Sequence, residues 1–291
     1  MRLLVTGGAG QLGRDLAAAA ARAGITAVHA LSSAELDITD ATAVAEAIAA
    51  FAGGTRLVVI NAAAYTAVDL AEGEGAAQAH AVNADGPAYL ARSCLAHGAH
   101  LVQVSTDYVF AGERAVPHQV DDPTSPRTVY GRTKLAGERA VLTSGASAHV
   151  VRTAWLYGAH GRNFVRTMAR LAHRPDPVRV VDDQRGNPTW TGDLAAGLIA
   201  LTLAAERVPP GVLHCVNAGS ATWFDLARAV FTEVGADPAR VHPCSTAEFP
   251  RPAPRPPNSV LDTAGWVAAG LPAPRPWRAA LTAAFTNGLI P

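Results

Sequence analysis

The chain opens with a glycine-rich loop between a short apolar strand and a helix. Residues 2–5 have the apolar pattern of a buried strand, and the loop after them reads TGGAGQLG at 6–13. Gly7, Gly10 and Gly13 permit a tight turn, close approach of the backbone to a ligand, and close packing of helix on strand. The helix N terminus adds N–H donors and a positive dipole end that suit phosphate. The loop predicts dinucleotide binding, although a simple glycine-rich connection would have the same spacing.

Short apolar runs alternate with helical patterns through the first half of the chain. The runs are apolar at consecutive positions, which indicates strands buried on both faces, as in a parallel sheet. This alternation predicts a Rossmann-type, doubly wound α/β fold. The predicted strands lie at 26–31, 57–60 and 100–104, and the predicted helices at 11–23, 41–51 and 75–97. The last helix contains a turn-like segment, Asp85-Gly86-Pro87.

The pattern loosens after about residue 150, where most of the 20 prolines fall. We expect an NAD(P)-binding Rossmann domain at 1–150, with return segments near 179–215, and a smaller, mainly substrate-binding α/β domain at 151–291. The proline-rich segment 249–257 predicts a loop or an extended arm. The second domain would lie over the carboxyl edge of the sheet, where open α/β folds bind ligands.

The composition argues against several classes of partner. The net charge is zero and there is no basic block, which disfavours binding to nucleic acid through its phosphates. The three cysteines are dispersed without a C-x-x-C, which fits a reducing compartment and gives no zinc pattern. We see no signal-peptide pattern, and no apolar run approaches the roughly 18 residues of a membrane span. These features predict a cytoplasmic protein with no membrane partner.

The end of the second predicted strand leaves the choice of coenzyme open. An acidic residue about 20 positions beyond the glycine loop would select the ribose 2′-hydroxyl of NAD. The segment His29-Ala-Leu-Ser-Ser33 has neither a carboxylate nor an arginine, which favours NADPH without excluding NADH. Asp37, followed by Ile38, could hydrogen-bond the adenine or could instead cap the next helix.

Two further strand ends carry residues suited to this crevice. Small residues at 62–64, before Tyr65 and Thr66, let the backbone pass close to a flat cofactor, or they serve tight packing. Thr106 ends the strand that begins at His100. Its hydroxyl could bond a substrate carbonyl and a phenol, or it could merely cap the strand.

The only lysine of the chain, Lys134, follows Tyr130 by four residues. This spacing places both side chains on one face of a helix. An ammonium there can lower the pKa of the phenol and still reach a ribose diol, which the broad fork of an arginine does less well. The alternative for this pair alone is an ordinary surface lysine.

Together these motifs resemble the extended short-chain dehydrogenase/reductases and, within them, the dTDP-4-dehydrorhamnose reductases. The similarity includes the later segments RTAW, NF, DQ and RPPNS, so it covers nearly the whole chain. The similar segments are the glycine loop, 61–69, 105–110, 129–138, 152–155, 163–164, 183–184 and 255–259.

The resemblance implies reduction of the C4 ketone of a dTDP-4-keto-6-deoxy sugar, dTDP-4-dehydro-L-rhamnose, to dTDP-L-rhamnose by NADPH or NADH. Tyr130 would donate the proton, its pKa brought from about 10 to about 7 by Lys134 and the nicotinamide. Lys134 would also hold the ribose, Thr106 would position the ketone, and Asp107 and Trp155 would contact the substrate. The cofactor residues expected are Gly7, Gly10, Gln11, Leu12, Gly13, Asp37, Ile38, Ala62, Ala63, Ala64, Tyr65, Thr66, Tyr130 and Lys134.

Departures from related families limit what is carried over. Related sugar dehydratases have Glu where this chain has Tyr108, so we do not expect dehydration. Some family members hold Mg²⁺ by carboxylates at a dimer interface, and Asp15 and Asp193 lie near those positions. The sequence does not support assigning a metal site here, although Mg²⁺ and a homodimer both remain open.

Two alternatives remain from the sequence. A 4-ketoreductase for another dTDP-deoxysugar, such as one in a dihydrostreptose-type pathway, would have nearly the same motifs. The resemblance also extends to the regulatory subunit of methionine adenosyltransferase, a non-catalytic binding protein. The presence of Thr106, Tyr130 and Lys134 favours an enzyme over that subunit.

Overall fold

The computed structural model describes residues 1–289, which fold into a larger and a smaller α/β unit. Strands and helices alternate along the first half of the chain, as the sequence predicts. The strands are β1 (Arg2–Thr6), β2 (Ala27–Leu31), β3 (Leu57–Asn61), β4 (His100–Thr106), β5 (Ala148–Thr153), β6 (Leu156–Tyr157), β7 (Val178–Val181), β8 (Arg185–Gly186), β9 (Thr189–Trp190), β10 (Gly211–His214), β11 (Ala221–Thr222) and β12 (Val241–Cys244). The helices are α1 (Gln11–Arg22), α2 (Ala41–Phe51), α3 (Ala76–His80), α4 (Gly86–Ala96), α5 (Val129–Leu142), α6 (Phe164–Ala172), α7 (Thr191–Ala204), α8 (Trp223–Glu233), α9 (Ala264–Ala268) and α10 (Trp277–Thr286).

The large sheet has the strand order β10-β5-β4-β3-β1-β2, and every neighbouring pair is parallel. The order in which strands are added reverses between β1 and β3, because β2 lies on one side of β1 and the following strands lie on the other. In open α/β sheets ligands bind outside the carboxyl ends of the strands at such a point. The glycine loop follows β1 and the segment 62–66 follows β3, so both lie at this crevice. The predicted doubly wound Rossmann-type fold is confirmed.

Helices cover both faces of the large sheet, which explains why its strands are apolar at consecutive positions. Val5 packs in a core with residues of α1 and α7, such as Leu16 and Leu198. Leu4, its neighbour in β1, packs on the other face with residues of α2 and α4, such as Ile48. Each such burial stabilises the fold by about 1.5–3 kcal/mol. None of the helices within residues 1–289 has the length and apolar character needed to cross a lipid bilayer.

The smaller unit has its own core beside the carboxyl edge of the sheet. Val165 of α6, Phe231 of α8 and Leu281 of α10 pack together there. The segment expected to return near 179–215 divides between the units. β7 pairs with β12, whereas β10 pairs with β5 in the large sheet after α7 has covered its face. The proline-rich segment 249–257 contains no helix or strand, as predicted.

The predicted helix 75–97 is continuous, and Asp85-Gly86-Pro87 is not a turn. α3 passes through a π-helical segment, Ala81–Asp85, directly into α4. Pro87 has no N–H to donate, and it is tolerated because it lies just after the π-helical segment, where the regular i→i+4 hydrogen bonding is already interrupted. The π segment presents Asn83 to the loop after β3, where its side chain accepts from Tyr65 N at 2.9 Å.

Candidate active site

A chain of buried hydrogen bonds crosses the carboxyl ends of β1, β3 and β4. Thr6 Oγ1 donates to Asn61 Oδ1 at 2.5 Å, and Asn61 Nδ2 donates to Gln103 Oε1 at 2.8 Å. Gln103 Nε2 donates in turn to the carbonyl oxygen of Val104 at 2.8 Å. The same carbonyl oxygen accepts a second hydrogen bond, from Lys134 Nζ at 2.7 Å. Buried polar groups that satisfy one another rigidify their surroundings. The chain of bonds fixes the floor of the crevice and holds Lys134 above it.

The glycine loop fits the pyrophosphate of a dinucleotide. Gly7 has φ +69°, a left-handed conformation that favours glycine. A Cβ on Gly7 would lie 2.7 Å from the backbone nitrogen of Ala63, and a Cβ on Gly13 would lie 2.2 Å from the carbonyl oxygen of Gly7. Gly10 precedes α1 without a side-chain cap, so no side chain competes for the N–H groups of its first turn.

The first turn of α5 is fixed against the end of β4. Thr128 Oγ1 accepts from Gly131 N at 2.9 Å and so caps the helix. A Cβ on Gly131 would lie 2.3 Å from the carbonyl oxygen of Tyr108, which shows how closely the helix approaches the turn after β4. Because the approach is this close, Tyr130 comes to lie beside that turn.

The structure brings Thr106, Tyr130 and Lys134 together in one cavity of about 550 Å³. The predicted substrate residues Asp107 and Trp155 line it as well. The predicted cofactor residues that also line it are Gly10, Gln11, Leu12, Ala62, Ala63, Ala64 and Thr66. The predicted residues that do not line it are Gly7, Gly13, Asp37, Ile38 and Tyr65.

Asp37 and Ile38 serve the fold locally. The Asp37 carboxylate accepts from Thr39 N at 2.9 Å and from Thr39 Oγ1 at 2.8 Å. The alternative that Asp37 caps the next helix is wrong, because the cap of α2 is Asp40. Ile38 is buried in the core between the sheet and α2 and α4. Adenine contacts by these residues stay a prediction.

The pKa of Tyr130 departs from ordinary values in the direction opposite to the expectation. Burial raises the pKa of Tyr130 to about 12, although the hydrogen bond with Thr106 counteracts it. Burial lowers the pKa of Lys134 to about 8, with the charge of Glu138 opposing the shift. Desolvation outweighs charge here because both side chains are at most 9% exposed. The phenol is therefore protonated at neutral pH, and the ammonium retains most of its charge.

The end of β4 presents a hydroxyl and a carboxyl side by side. Thr106 Oγ1 donates to Asp107 Oδ1 at 2.9 Å and accepts from Tyr108 N at 3.2 Å, so it also caps the turn. Burial raises the pKa of Asp107 to about 6, although the neighbouring hydroxyls of Ser259 and Thr106 oppose the shift. Within residues 1–289, Asp107 Oδ2 has no hydrogen-bond partner. A buried carboxyl oxygen without a partner in a cavity suits a hydroxyl of a ligand.

Trp155 lies at the junction of two cavities. Its φ of +48° is left-handed, and among residues 1–289 no other non-glycine residue has a positive φ. Such a conformation costs about 1–3 kcal/mol and is found mainly at functional sites. Its ring stacks on Trp223 with centroids 3.5 Å apart and planes 4° apart. Trp155, Trp223 and Tyr108 line both the first cavity and a second one of about 480 Å³.

The second cavity combines aromatic rings with cationic side chains, most of which the sequence reasoning missed. Phe164 and Phe249 line it together with Arg179, Arg251 and Arg255. The capping box TWFD at 222–225 could have located Trp223 on the first turn of a helix. No local pattern could have assigned Arg251 and Arg255 to a cavity, because the arm 249–257 that contains them is irregular.

Of the two carboxylates near the expected metal positions, Asp193 is already engaged within the chain. Asp193 accepts from Asn217 Nδ2 at 2.7 Å and forms an ion pair with Arg275 at 3.1 Å, so a guanidinium already neutralises it. Asp15 lines a cavity with both Asp193 and Arg275. In the described part of the chain, no three His, Cys, Asp or Glu residues are grouped as metal ligands. Mg²⁺ takes an octahedral set of oxygen ligands, often with several waters among them, so a magnesium site stays a prediction.

Comparisons with known proteins agree with this geometry. The family model described as RmlD substrate binding domain matches residues 1–289. A dTDP-4-dehydrorhamnose reductase from Streptomyces griseus is 54% identical, over 98% of this chain and 93% of its own. A relative from Streptomyces antibioticus, named "Probable dTDP-4,6-dihydroxy-2-methyloxan-3-one 4-ketoreductase", is 51% identical over 99% of this chain and 95% of its own.

A solved structure extends the likeness to the whole fold. The crystal structure of dTDP-4-dehydrorhamnose reductase from Bacillus anthracis, in complex with NADP, is 33% identical. It superposes with a TM-score of 0.92 over 98% of this chain and 99% of that one. The family match and the closely related curated reductases confirm the predicted family. This chain is an oxidoreductase that belongs to the dTDP-4-dehydrorhamnose reductase family.

Proposed function

We propose that the protein reduces the C4 ketone of dTDP-4-dehydro-L-rhamnose to give dTDP-L-rhamnose, with NADPH or NADH as the reductant. One observation carries the proposal. Thr106, Tyr130 and Lys134 converge in the cavity that the glycine loop also lines, and this cavity adjoins the aromatic and cationic second cavity. The cofactor and the ketone would bind in the first cavity, and the nucleotide part of the substrate would bind in the second.

The residues present fit a nicotinamide dinucleotide. The glycine loop would hold its pyrophosphate, and the small side chains of Ala62, Ala63 and Ala64 leave room for a flat group in the cavity. When bound, the reduced nicotinamide supplies the hydride. Lys134 Nζ donates to the carbonyl of Val104 at the base of the crevice. Because Lys134 is on the same face of α5 as Tyr130, it would hold the ribose hydroxyls beside the phenol.

Tyr130 is the proposed proton donor. Its raised pKa keeps the phenol protonated at neutral pH, which is the form that a reduction needs. Proton donation to the ketone oxygen leaves a phenolate in a buried site, which costs free energy unless a cation lies near. Lys134, on the same helix face, supplies that cation. Thr106 would hold the ketone oxygen next to the phenol.

The proposal places the two ends of the substrate in the two cavities. Asp107, with one oxygen free, would accept from a sugar hydroxyl, and Trp155 would pack on the sugar ring. Beyond Trp155, the rings of the second cavity suit the thymine base. The guanidinium groups of Arg179, Arg251 and Arg255 suit the diphosphate, which arginine binds with paired hydrogen bonds.

A second candidate keeps the reaction and changes the sugar. The Streptomyces antibioticus relative, at 51% identity, is named for a different dTDP-sugar 4-ketone. The catalytic residues would be the same in both cases, since only the hydroxyl pattern of the sugar differs. A binding protein without catalysis is not favoured, because the chain contains all three of the proposed catalytic side chains, Thr106, Tyr130 and Lys134.

The proposal is tested by following oxidation of NADPH and NADH by the purified protein with dTDP-4-dehydro-L-rhamnose. Tyr130→Phe should reduce kcat by about 10²–10⁴-fold, the usual size of a general-acid contribution. Tyr89→Phe is the matched control, because Tyr89 lies on α4 and lines neither cavity. Equal turnover by the Tyr130→Phe variant would contradict the proposed donor. Turnover only with other dTDP-4-keto sugars would favour the second candidate.

A further inference from the structure

A shallow cavity of about 360 Å³ beside the glycine loop contains polar side chains that the proposed reaction does not use. It extends from Gly8 and Ala9 of the loop to Ala30 of β2. A Cβ on Gly8 would lie 2.5 Å from the carbonyl carbon of Ala30, so loop and strand touch here. In a dinucleotide-binding fold the adenosine ribose lies between the phosphate loop and the end of the second strand. The polar residues of the cavity are Arg14, Ser32, Glu35 and His160.

Glu35 folds back onto the end of β2. Its Oε2 accepts from Ser32 N at 2.8 Å and from Ser32 Oγ at 2.7 Å. Ser32 directly follows Leu31, the last residue of the strand. The chain therefore supplies from the next turn the carboxylate that residues 29–33 lack. Both bonds go to Oε2, which leaves Oε1 to accept from a ligand. The hydrogen bonds from the Ser32 side chain and backbone lower the pKa of Glu35, so it is anionic at neutral pH.

Arg14 approaches the same cavity from the opposite side. It lies in the first turns of α1, is exposed, and donates from Nε to the carbonyl of Ala9 at 3.1 Å. This bond holds the guanidinium beside the glycine loop and uses only Nε. Among residues 1–289 its two terminal nitrogens have no hydrogen-bond partner, and a guanidinium pairs well with a phosphate. The cavity thus has one anionic acceptor and one cationic donor.

We propose that Glu35 and Arg14 set the choice of coenzyme, Glu35 by accepting from a ribose 2′-hydroxyl and Arg14 by pairing with a 2′-phosphate. The carboxylate repels a 2′-phosphate and the guanidinium attracts it, so the unaltered protein binds both coenzymes. The sequence favoured NADPH because residues 29–33 have no carboxylate, and Glu35 removes that reason. The inference rests on the cofactor-binding part of the proposed function and is independent of the sugar.

The test measures dissociation constants of NAD⁺ and NADP⁺ by titration calorimetry. We expect Glu35→Gln to raise the affinity for NADP⁺ relative to NAD⁺ by about tenfold, and Arg14→Gln to lower it by about tenfold, as for a hydrogen bond to a charged group. Glu46→Gln is the control, since Glu46 is exposed on α2 and does not line the cavity. Its ratio should equal that of the unaltered protein.

Adenosine 2′,5′-bisphosphate and AMP locate the effect at the ribose. The two variants should shift the affinity ratio of this pair in the same directions as that of the whole coenzymes. Ratios unchanged in both variants would overturn the inference. Equal loss of NAD⁺ and NADP⁺ in Arg14→Gln would assign Arg14 to the pyrophosphate and overturn its proposed role. An unaltered protein that binds neither coenzyme would instead overturn the proposed cofactor site.

Discussion

Lys134 carries a buried ammonium group that loses its charge only slightly above neutral pH. Burial lowers its pKa to about 8, so the charge is present below that pH and is lost as the pH rises through it. If this charge stabilises the phenolate left on Tyr130, kcat for ketone reduction should fall as the pH passes 8. The measurement is kcat at saturating substrate between pH 6 and 10. A kcat that stays constant to pH 10 would contradict this role.

Lys134→Arg supplies the control for that profile. Arginine keeps its charge throughout the range, so the fall near pH 8 should disappear. The rate should nevertheless be lower at every pH, since a guanidinium cannot occupy the compact position in which Lys134 Nζ donates to Val104. A fall that persists in the arginine variant would assign the titration to another group.

Arg152 and Glu138 form a buried ion pair beneath the site. Arg152 Nη2 donates to Glu138 Oε2 at 2.8 Å, and Ser105 Oγ donates to Glu138 Oε1 at 2.5 Å. Arg152→Met should lower the free energy of unfolding by about 3–5 kcal/mol, because an unpaired carboxylate is left buried. Urea denaturation measures the change. Adding Glu138→Met should restore much of the lost stability, and a double variant as unstable as the single one would refute the explanation.

At the scale of elements, the contact between α5 and the turn after β4 depends on Gly131. A methyl group there would lie 2.3 Å from the carbonyl oxygen of Tyr108, which is backbone and cannot move freely. Gly131→Ala should therefore displace Tyr130, reduce kcat and destabilise the protein by about 1–3 kcal/mol. Thermal unfolding and steady-state kinetics measure both effects.

Gly265 is the matched control for this substitution. It lies in α9, and a Cβ added there would meet no atom within 4 Å. Gly265→Ala should leave kcat unchanged and should stabilise the helix by up to about 1 kcal/mol, because alanine has the higher helix propensity. Equal losses in both variants would show that the contact with Tyr108 has no special importance.

Elements that depend on local patterns were predictable, and those that depend on distant partners were not. The continuous apolar runs predict β1, β3 and β4 correctly, because a strand buried on both faces has apolar residues at consecutive positions. β12 went unpredicted, since its pairing with β7 is a contact between distant segments. The pattern Asp85-Gly86-Pro87 indicates a turn because glycine and proline are common in turns, whereas in the structure Gly86 and Pro87 belong to a helix that continues from the π segment.

For the molecule as a whole, Asp69 joins the proline-rich arm to the loop after β3. Its carboxylate accepts from Arg255 Nη1 at 2.8 Å, from Arg251 Nε at 3.1 Å and from Ala253 N at 3.3 Å. Burial works to raise the pKa of Asp69, but these arginines outweigh it and hold the pKa at about 2. The carboxylate is thus charged throughout the working range, and the arm stays attached across it.

Asp69→Asn should loosen the arm and with it Arg251 and Arg255, two of the three arginines that line the second cavity. We expect the KM for the dTDP-sugar to rise by about tenfold, the effect of losing a hydrogen bond to a charged group. Coenzyme affinity should change less than the KM, because the hydrogen bonds of Asp69 go to Arg251, Ala253 and Arg255 of the arm. Asp121→Asn, at an exposed position, is the control. Weaker coenzyme binding with an unchanged KM would contradict the assignment of the second cavity.

The sequence predicts those residues of the candidate site that are close together in the chain or lie at the end of a predicted strand. The spacing of Tyr130 and Lys134 predicts that they share a helix face, and the position of Thr106 at a strand end predicts that it faces the same crevice. The return of Glu35 to Ser32 and the stacking of Trp223 on Trp155 depend on tertiary packing, which no spacing records. The spacing of Tyr130 and Lys134 predicts the cation that would lower the pKa of the phenol, but it does not give the size of the opposing effect of burial. A homodimer stays a prediction.

The central claim is that this site delivers hydride to C4 of a dTDP-4-keto sugar while Tyr130 gives the proton. The most direct measurement is an NMR spectrum of the product formed from dTDP-4-dehydro-L-rhamnose and NADPH deuterated at the transferable position. We expect one deuterium, bound at C4 of the sugar, and no such product from Tyr130→Phe in the same time. Deuterium at another carbon, or the same yield from the variant, would contradict the account.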